Sequence, residues 1–319
     1  PVLAANLVTA EGNLFTNAAS VILERDGLRI GVVGVLMEDL VPNLTVPANL
    51  APNKLLPAIA TLRGEAARLK DKTDILIALV HLWREGCDKI VQELPEYAIT
   101  ISGHDHAGLQ ELFRVEDRIG ARVRANGMEL GRLDIEYDKA ARRIVKANWR
   151  RIAITKAAFP ADAEVARIVD KWEAKVNAVV DVPIGTSKAR KDRAQVRAWI
   201  EKVMREKSGS DLVFMNAGGV RDNLPGGKLL ARSVWNIMPF DNLMVTGKVP
   251  GRLIPDFIRR DAVIDPGKIY TLATIDFVVE TWRNGTDEKL MELGRAISLD
   301  GPMLRDVLLD SVRKSGIVE

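Results

Sequence analysis

An α/β chain in two parts is the fold class that the sequence predicts, and three observations carry it. Short β-branched runs alternate with helical stretches that have one apolar stripe over residues 1–158. A charged helical stretch follows over 159–180, and a second mixed region, 181–319, begins after it. Composition is globular, with 47% hydrophobic and 28% charged residues, which excludes a disordered, collagenous or coiled-coil chain.

The charge balance, 46 basic against 43 acidic residues, is mixed along the chain and makes no case for a nucleic-acid or membrane surface. No apolar run approaches the roughly 20 residues that span a bilayer. The single cysteine, Cys87, excludes an internal disulfide framework.

Each element has its own signal. Val21–Arg25, the Asp26-Gly27 turn and the apolar run Arg29–Val35 predict a hairpin whose second strand is buried on both faces. Leu55, Ile59, Leu62, Ala66 and Leu69 predict a helix over about 53–69. Asp74–Val80 and Ala98–Ser102 are strands around a short helix near 87–94. Ala121–Asn126, Gly131–Tyr137 and Arg143–Ile154 are expected as antiparallel strands. Asp162 is the expected N-cap of the 159–180 linker helix, whose apolar face is Val165, Ile168, Val169, Trp172 and Val176. Further on come a helix over 193–207, a strand over 211–215, strands over 243–247 and 268–275, and a last helix over 302–314. The chain opens on Pro1-Val-Leu-Ala-Ala-Asn-Leu7, which has no basic, signal-type segment. It reads as a buried strand from the first residue, so the first domain is expected to be incomplete.

All three histidines lie between positions 81 and 106. His81 closes one strand, and His104 and His106 follow the end of another. Carboxyl ends of strands are where sites collect in open α/β sheets, and neutral imidazole is a good ligand for Zn, Mn or Fe. One such histidine alone is an ordinary loop or core residue; three at strand ends predict a metal site. In an extended turn, His104 and His106 point the same way and Asp105 points away.

Val80-His81-Leu82, followed by Gly103-His104-Asp105-His106, resembles the second half of the motif set of calcineurin-like metallophosphoesterases. The opening Leu3–Leu7 and Asp26–Gly34 resemble the stretch just downstream of that family's Asn-His-Glu/Asp motif. In the second region, Asn216-Ala-Gly-Gly-Val-Arg221 and Pro239-Phe240-Asp241-Asn242, with Thr246-Gly247 and Gly251, resemble the C-terminal domain of the 5′-nucleotidase family. That family includes 2′,3′-cyclic-nucleotide phosphodiesterases and periplasmic 5′-nucleotidases.

The resemblance implies a layered metallophosphoesterase sheet domain over 1–158, present in its C-terminal portion only, and a mixed α+β nucleotide-binding domain over 181–319. It implies a centre of two divalent ions (Mn, Zn or Mg), here partial, with His81, His104 and His106 as ligands. It also implies a nucleotide or nucleoside partner and a periplasmic or secreted location. Phe240 and Phe277 match the two rings that sandwich the base, and Asn242 matches the residue on the base edge. Arg221, beside Gly218 and Gly219, matches a phosphate contact, and Arg193 and Arg197 lie where further such arginines fall. A guanidinium suits phosphate because it is always charged and fork-shaped.

Three departures stand out. Val278–Gly285 replaces the family's Gly-Gly-Asp-Gly loop, Trp83 replaces a small residue, and Met215-Asn216 lacks a common serine. No catalytic residue falls within the chain on this resemblance. The family's catalytic histidine–aspartate pair and its bridging aspartate would precede Pro1. The expectation is therefore a nucleotide-directed phosphoester hydrolase whose 319 residues are inactive alone. The alternatives are a catalytically incomplete nucleotide-binding module and a degenerate structural paralogue.

Overall fold

A computed structural model describes residues 1–40, 45 and 47–319. The fold is mixed α/β, and the chain divides into two compact units, Pro1–Ala161 and Asp162–Glu319.

In the first unit, β1 (Leu7–Val8) is followed by β2 (Ser20–Arg25) and β3 (Leu28–Leu36). The Asp26-Gly27 turn that joins β2 to β3 has positive φ at both residues, +50° and +72°, as a tight hairpin requires. A single turn, α1 (Pro47–Leu50), and β4 (Lys54–Leu55) precede α2 (Ala58–Leu69). The helix expected from 53 thus begins at Ala58. Pro57 caps it, and Lys54–Leu55 is taken into pairing with Val8–Leu7 instead.

Next come β5 (Ile75–His81), α3 (Arg84–Glu93), β6 (Ile99–Ser102), β7 (Phe113–Val115) and β8 (Arg118–Ala121). The strand expected over 121–126 ends where it was expected to begin. Arg122 is buried against Asp88 at 3.6 Å, and Asn126 has φ +65°, so the chain turns. The long hairpin β9 (Glu129–Asp138) and β10 (Arg143–Ala153) closes the unit.

Six strands form one sheet in the order β2-β3-β5-β6-β8-β7, with β3, β5, β6 and β8 parallel and β2 and β7 as antiparallel edges. One face packs on α2 and α3, where Val33, Val35, Ala78 and Val80 meet Leu62, Leu69, Ile90 and Leu94. On the other face the β9–β10 hairpin covers Ile77, Ile99 and Ile119, while Leu79 and Ile101, nearer the strand ends, stay 45% and 42% exposed. Asn6 is fully buried. Its amide donates to the carbonyls of Leu36 (2.7 Å) and Leu56 (3.0 Å) and accepts from Leu36 N–H (2.9 Å), tying three segments beside the end of β3. Gly34 lies against the backbone of Leu3, where a Cβ has no room.

The second unit opens with α4 (Ala163–Val180), capped by Asp162, whose carboxylate accepts from the N–H groups of Glu164 and Val165. Its expected apolar face is not covered: Val165, Ile168, Val169, Trp172 and Val176 are all exposed, and Val180 is the buried residue of the helix. Arg232 holds the other side of α4 through Asp181, at 2.6 Å, and Asn177.

Then follow β11 (Pro183–Ser187), α5 (Arg193–Ser208), β12 (Leu212–Val213), β13 (Gly227–Leu230), α6 (Ala231–Ile237) and β14 (Met244–Pro250). The single turn α7 (Asp256–Arg259), β15 (Ile269–Ile275), α8 (Asp276–Arg283), α9 (Glu288–Arg295), α10 (Leu304–Ser315) and β16 (Ile317–Val318) complete it. Two three-stranded sheets, β13-β11-β16 and β12-β15-β14, share one core with α5, α6, α8 and α10. Most of the segment 278–285, which stands in place of the family's loop, continues α8 as far as Arg283, because Val278, Val279 and Trp282 recur at helical spacing and are buried.

Candidate functional site

Two groups of side chains carry chemistry, one in each unit. In the first, parallel pairing of β3, β5 and β6 brings the ends of β5 and β6 side by side, with Val80 opposite Ser102. His81 ends β5, and Gly103 takes the chain off β6 into His104. His81 Nε2 and His104 Nδ1 lie 3.0 Å apart, and their rings meet edge-on at 4.8 Å. Trp83 packs across His104 from the start of α3, with ring centroids 4.2 Å apart, which gives this departure from the family pattern a place beside the histidines. His104 Nε2 is buried without a hydrogen-bond partner.

Burial pushes the His104 imidazole below its ordinary value, and the neighbouring His81 and His106 push it the same way. The ring is therefore neutral near pH 7, the state in which imidazole binds metal.

His106 is exposed, and its φ of +59° interrupts the extended course that would have aimed it with His104. Asp105 accepts a hydrogen bond from Ala107 N–H at 3.3 Å. The structure thus joins His81 to His104, while His106 makes no bond to that pair. Among the described residues no three His, Cys, Asp or Glu side chains are placed to hold one metal ion.

In the second unit, residues 217–219 form one turn of 3₁₀ helix after β12, and Arg221 leaves it. Gly219 fits closely over Met215 and Asn216, whereas a Cβ on Gly218 would make only an ordinary contact, with Asn216 Nδ2 at 3.8 Å. Arg221 donates to the Gly218 carbonyl at 3.3 Å, and its guanidinium lies 5.8 Å from the ring centre of Phe240. Phe240 follows α6 in the loop before β14 and keeps 40% of its surface exposed. Asn242, half-buried in the same loop, accepts from Leu304 N–H through its carbonyl at 2.9 Å. Phe277 stands in the first turn of α8, packed on the core of the unit and without ring contact to Phe240.

Arg193 is exposed at the start of α5, where Asp192 and Gln195 form a capping box. Arg197, one turn on, pairs with Glu201 at 3.3 Å and lies over Phe214.

Three residues of this region escape the sequence reading: Glu201, Trp235 and Arg305. Glu201 is buried and holds Arg260 (2.6 Å), Arg197 and the N–H of Met215 (3.1 Å). Arg305 is buried beneath the Phe240 loop and stacks on Trp235 at 3.6 Å. In sequence Arg305 sits between apolar residues of an amphipathic helix, Leu304 and Val307, and that unusual position is the one signal it offers.

Residues 176–265 match the family model of the 5′-nucleotidase C-terminal domain. The chain fits the 5′-nucleotidase family. Against the trifunctional nucleotide phosphoesterase protein YfkN of Bacillus subtilis it is 23% identical over 257 residues, 75% of this chain and 17% of that one. Against protein UshA of Escherichia coli it is 23% identical over 181 residues, 48% of this chain and 33% of that one. The chain therefore spans a third or less of the length of these two 5′-nucleotidase-family relatives. The crystal structure of the 5′-nucleotidase precursor of Thermus thermophilus shares the fold, with a TM-score of 0.81 at 16% identity, covering 100% of this chain and 76% of that one. No helix among the described residues is long and apolar enough to cross a membrane.

Proposed function

We propose that this chain binds a nucleotide on its second unit and contributes two imidazoles to a divalent-metal centre, in a nucleotide-directed phosphoester hydrolase. The observation that carries the reading is the pairing of Arg221 with Phe240. A nucleotide is a flat base joined to an anion, and this pair sets a flat exposed face beside a permanent cation. Arg221, with the backbone of Gly218 and Gly219, holds the phosphate; Arg193 and Arg197 add positive charge. Phe240 stacks one face of the base, Phe277 takes the other, and Asn242 bonds its edge.

The donor set in the first unit fits part of a metal centre. Imidazole–metal bonds are about 2.0–2.1 Å, so two cis ligands have nitrogens about 2.9–3.4 Å apart. The 3.0 Å between His81 Nε2 and His104 Nδ1 lies in that range, and ligation through Nδ1 would leave the N–H of the neutral ring on the buried Nε2 of His104. A bound divalent ion would supply Lewis acidity at the phosphoryl oxygens. His81 and His104 would hold it, Trp83 would keep the His104 ring in place, and His106 would join by a change of its loop. Two dications also need negative ligands; Asp105 and Asp39 lie close enough to act on His104 electrostatically, but no three His, Cys, Asp or Glu side chains among the described residues are placed to hold one ion. Residues 1–319 alone are therefore read as binding nucleotide without turning it over, which is also what a binding module would do. By family resemblance the protein works in the periplasm or outside the cell.

The test is calorimetric titration of AMP into the wild type, Phe240→Ala and Arg221→Ala. Loss of the stack should weaken binding by about 5- to 150-fold, the equivalent of roughly 1–3 kcal/mol. Equal affinity in all three proteins would refute the reading.

A further inference from the structure

We infer that Arg305 is a positioning residue for the nucleobase, acting through the loop that carries Phe240; this rests on the nucleotide reading above. Arg305 lies in the first turn of α10, with a side chain only 4% exposed. Its fork takes hold of the loop at three successive points. Nη1 donates to the carbonyls of Met238 (3.4 Å) and Phe240 (3.2 Å), and Nη2 donates to the carboxylate of Asp241 at 2.5 Å. Nη2 also touches Met303 Sδ at 3.3 Å, and Nε is buried without a partner. The guanidinium carbon sits 3.6 Å over the centre of the Trp235 ring, so the group is held from the α6 side as well as from the loop side. The adjacent N–H of Leu304 donates to the carbonyl of Asn242, the residue read as meeting the base edge.

Stability alone does not call for this arrangement. Burying a guanidinium is costly, and an apolar side chain of similar volume commonly serves a core as well or better. What the guanidinium adds is direction, because a rigid planar donor set can hold several backbone acceptors at fixed angles. Phe240 needs such help: its ring is 40% exposed, so core packing does not settle where it points. The backbone that bears it must do so, and Arg305 holds that backbone at Met238 and at Phe240 itself, with the Asp241 side chain as a third hold just beyond. A base-stacking ring works only when its face is presented at the right tilt, so Arg305 would govern the base-dependent share of affinity and leave the phosphate-dependent share alone.

The experiment is a double-mutant cycle read with two ligands, AMP and ribose 5-phosphate, by calorimetry on the full chain. Arg305→Lys keeps the charge and loses the fork. It should weaken AMP binding about tenfold and leave ribose 5-phosphate within twofold. In the Phe240→Ala background, Arg305→Lys should change AMP affinity no further. Asp241→Ala, which cuts the charged contact at an exposed side chain without touching the core, should weaken AMP in the same sense and guards against a folding defect in the Arg305 variant. A loss that is equal for both ligands, or that persists in full without Phe240, would overturn the inference. A wild-type preference for AMP that survives Arg305→Lys and Asp241→Ala would overturn it alone. A wild type that binds both ligands equally would overturn the nucleotide reading and this inference with it.

Discussion

Glu201 shows how much of the second unit hangs on one buried carboxylate. It carries the guanidinium of Arg260, that of Arg197 and the N–H of Met215, which leads into the Asn216–Arg221 turn. Removing its charge leaves two guanidinium groups without their counter-ion, though both keep some contact with water. Glu201→Gln should therefore cost about 3 kcal/mol, seen as a lower urea midpoint at an unchanged slope. Wild-type stability in that variant would mean that water already balances these charges. At His104 the expectation concerns protons. Its imidazole is held below the ordinary 6.5, so as pH falls the unfolded chain takes up the proton first. The contribution is present above about 6.5 and is lost as pH falls toward the lowered value. An NMR titration of the ring after chelator treatment should give a midpoint below that of exposed histidine; a midpoint at or above 6.5 would contradict the burial of this ring. The reactive residue types were legible in the sequence, because His81, His104, Arg221 and Phe240 stand at strand ends and turns with telling neighbours. The residues that hold them were not. Whether a glutamate or an arginine is solvated or buried depends on partners about 60 positions away, as Glu201 and Arg260 or Arg305 and Asp241 show.

Among the elements, helices with caps and hairpins with turn residues follow local rules, and the structure obeys those rules. Asp162 caps α4, Asp192 caps α5, and Asp26-Gly27 turns the first hairpin. Asp192→Ala should cost about 1 kcal/mol in thermal or urea unfolding of the second unit, since it removes the carboxylate that accepts from Gln195 N–H and leaves only the backbone half of the capping box; no change would mean that the frayed turn is already solvated. The stripe on α4 is a different matter. Periodicity marked Val165, Ile168, Val169, Trp172 and Val176 as an apolar face, and all are exposed, with Lys175 on the Trp172 ring at 4.6 Å. Periodicity reports that a face is apolar and says nothing of what covers it. Trp172→Gln should shift stability by less than about 0.5 kcal/mol. A loss of several kcal/mol would mean that this face is buried in solution. The expected strand at 121–126 failed for a related reason: alternation suits a strand, but Arg122 turns inward to Asp88 and ends it.

At the scale of the whole molecule, the proposed reading gives the two units different parts of one chemistry. The first presents paired imidazoles at the ends of parallel strands. The second presents a cation beside an exposed ring, in a unit whose residues 176–265 match the 5′-nucleotidase C-terminal domain. Among the described residues no three His, Cys, Asp or Glu side chains are placed to hold one ion, and on the proposed reading that separates binding from turnover. A single-injection calorimetric experiment reads both in one trace. AMP is injected into the 319-residue chain with Mn²⁺ present, and the heat is followed until it returns to baseline. The predicted result is a saturable binding heat followed by a flat baseline, because nucleotide is held and not hydrolysed. The contradicting result is either no saturable heat at all or a steady heat flow from hydrolysis that disappears in His104→Ala.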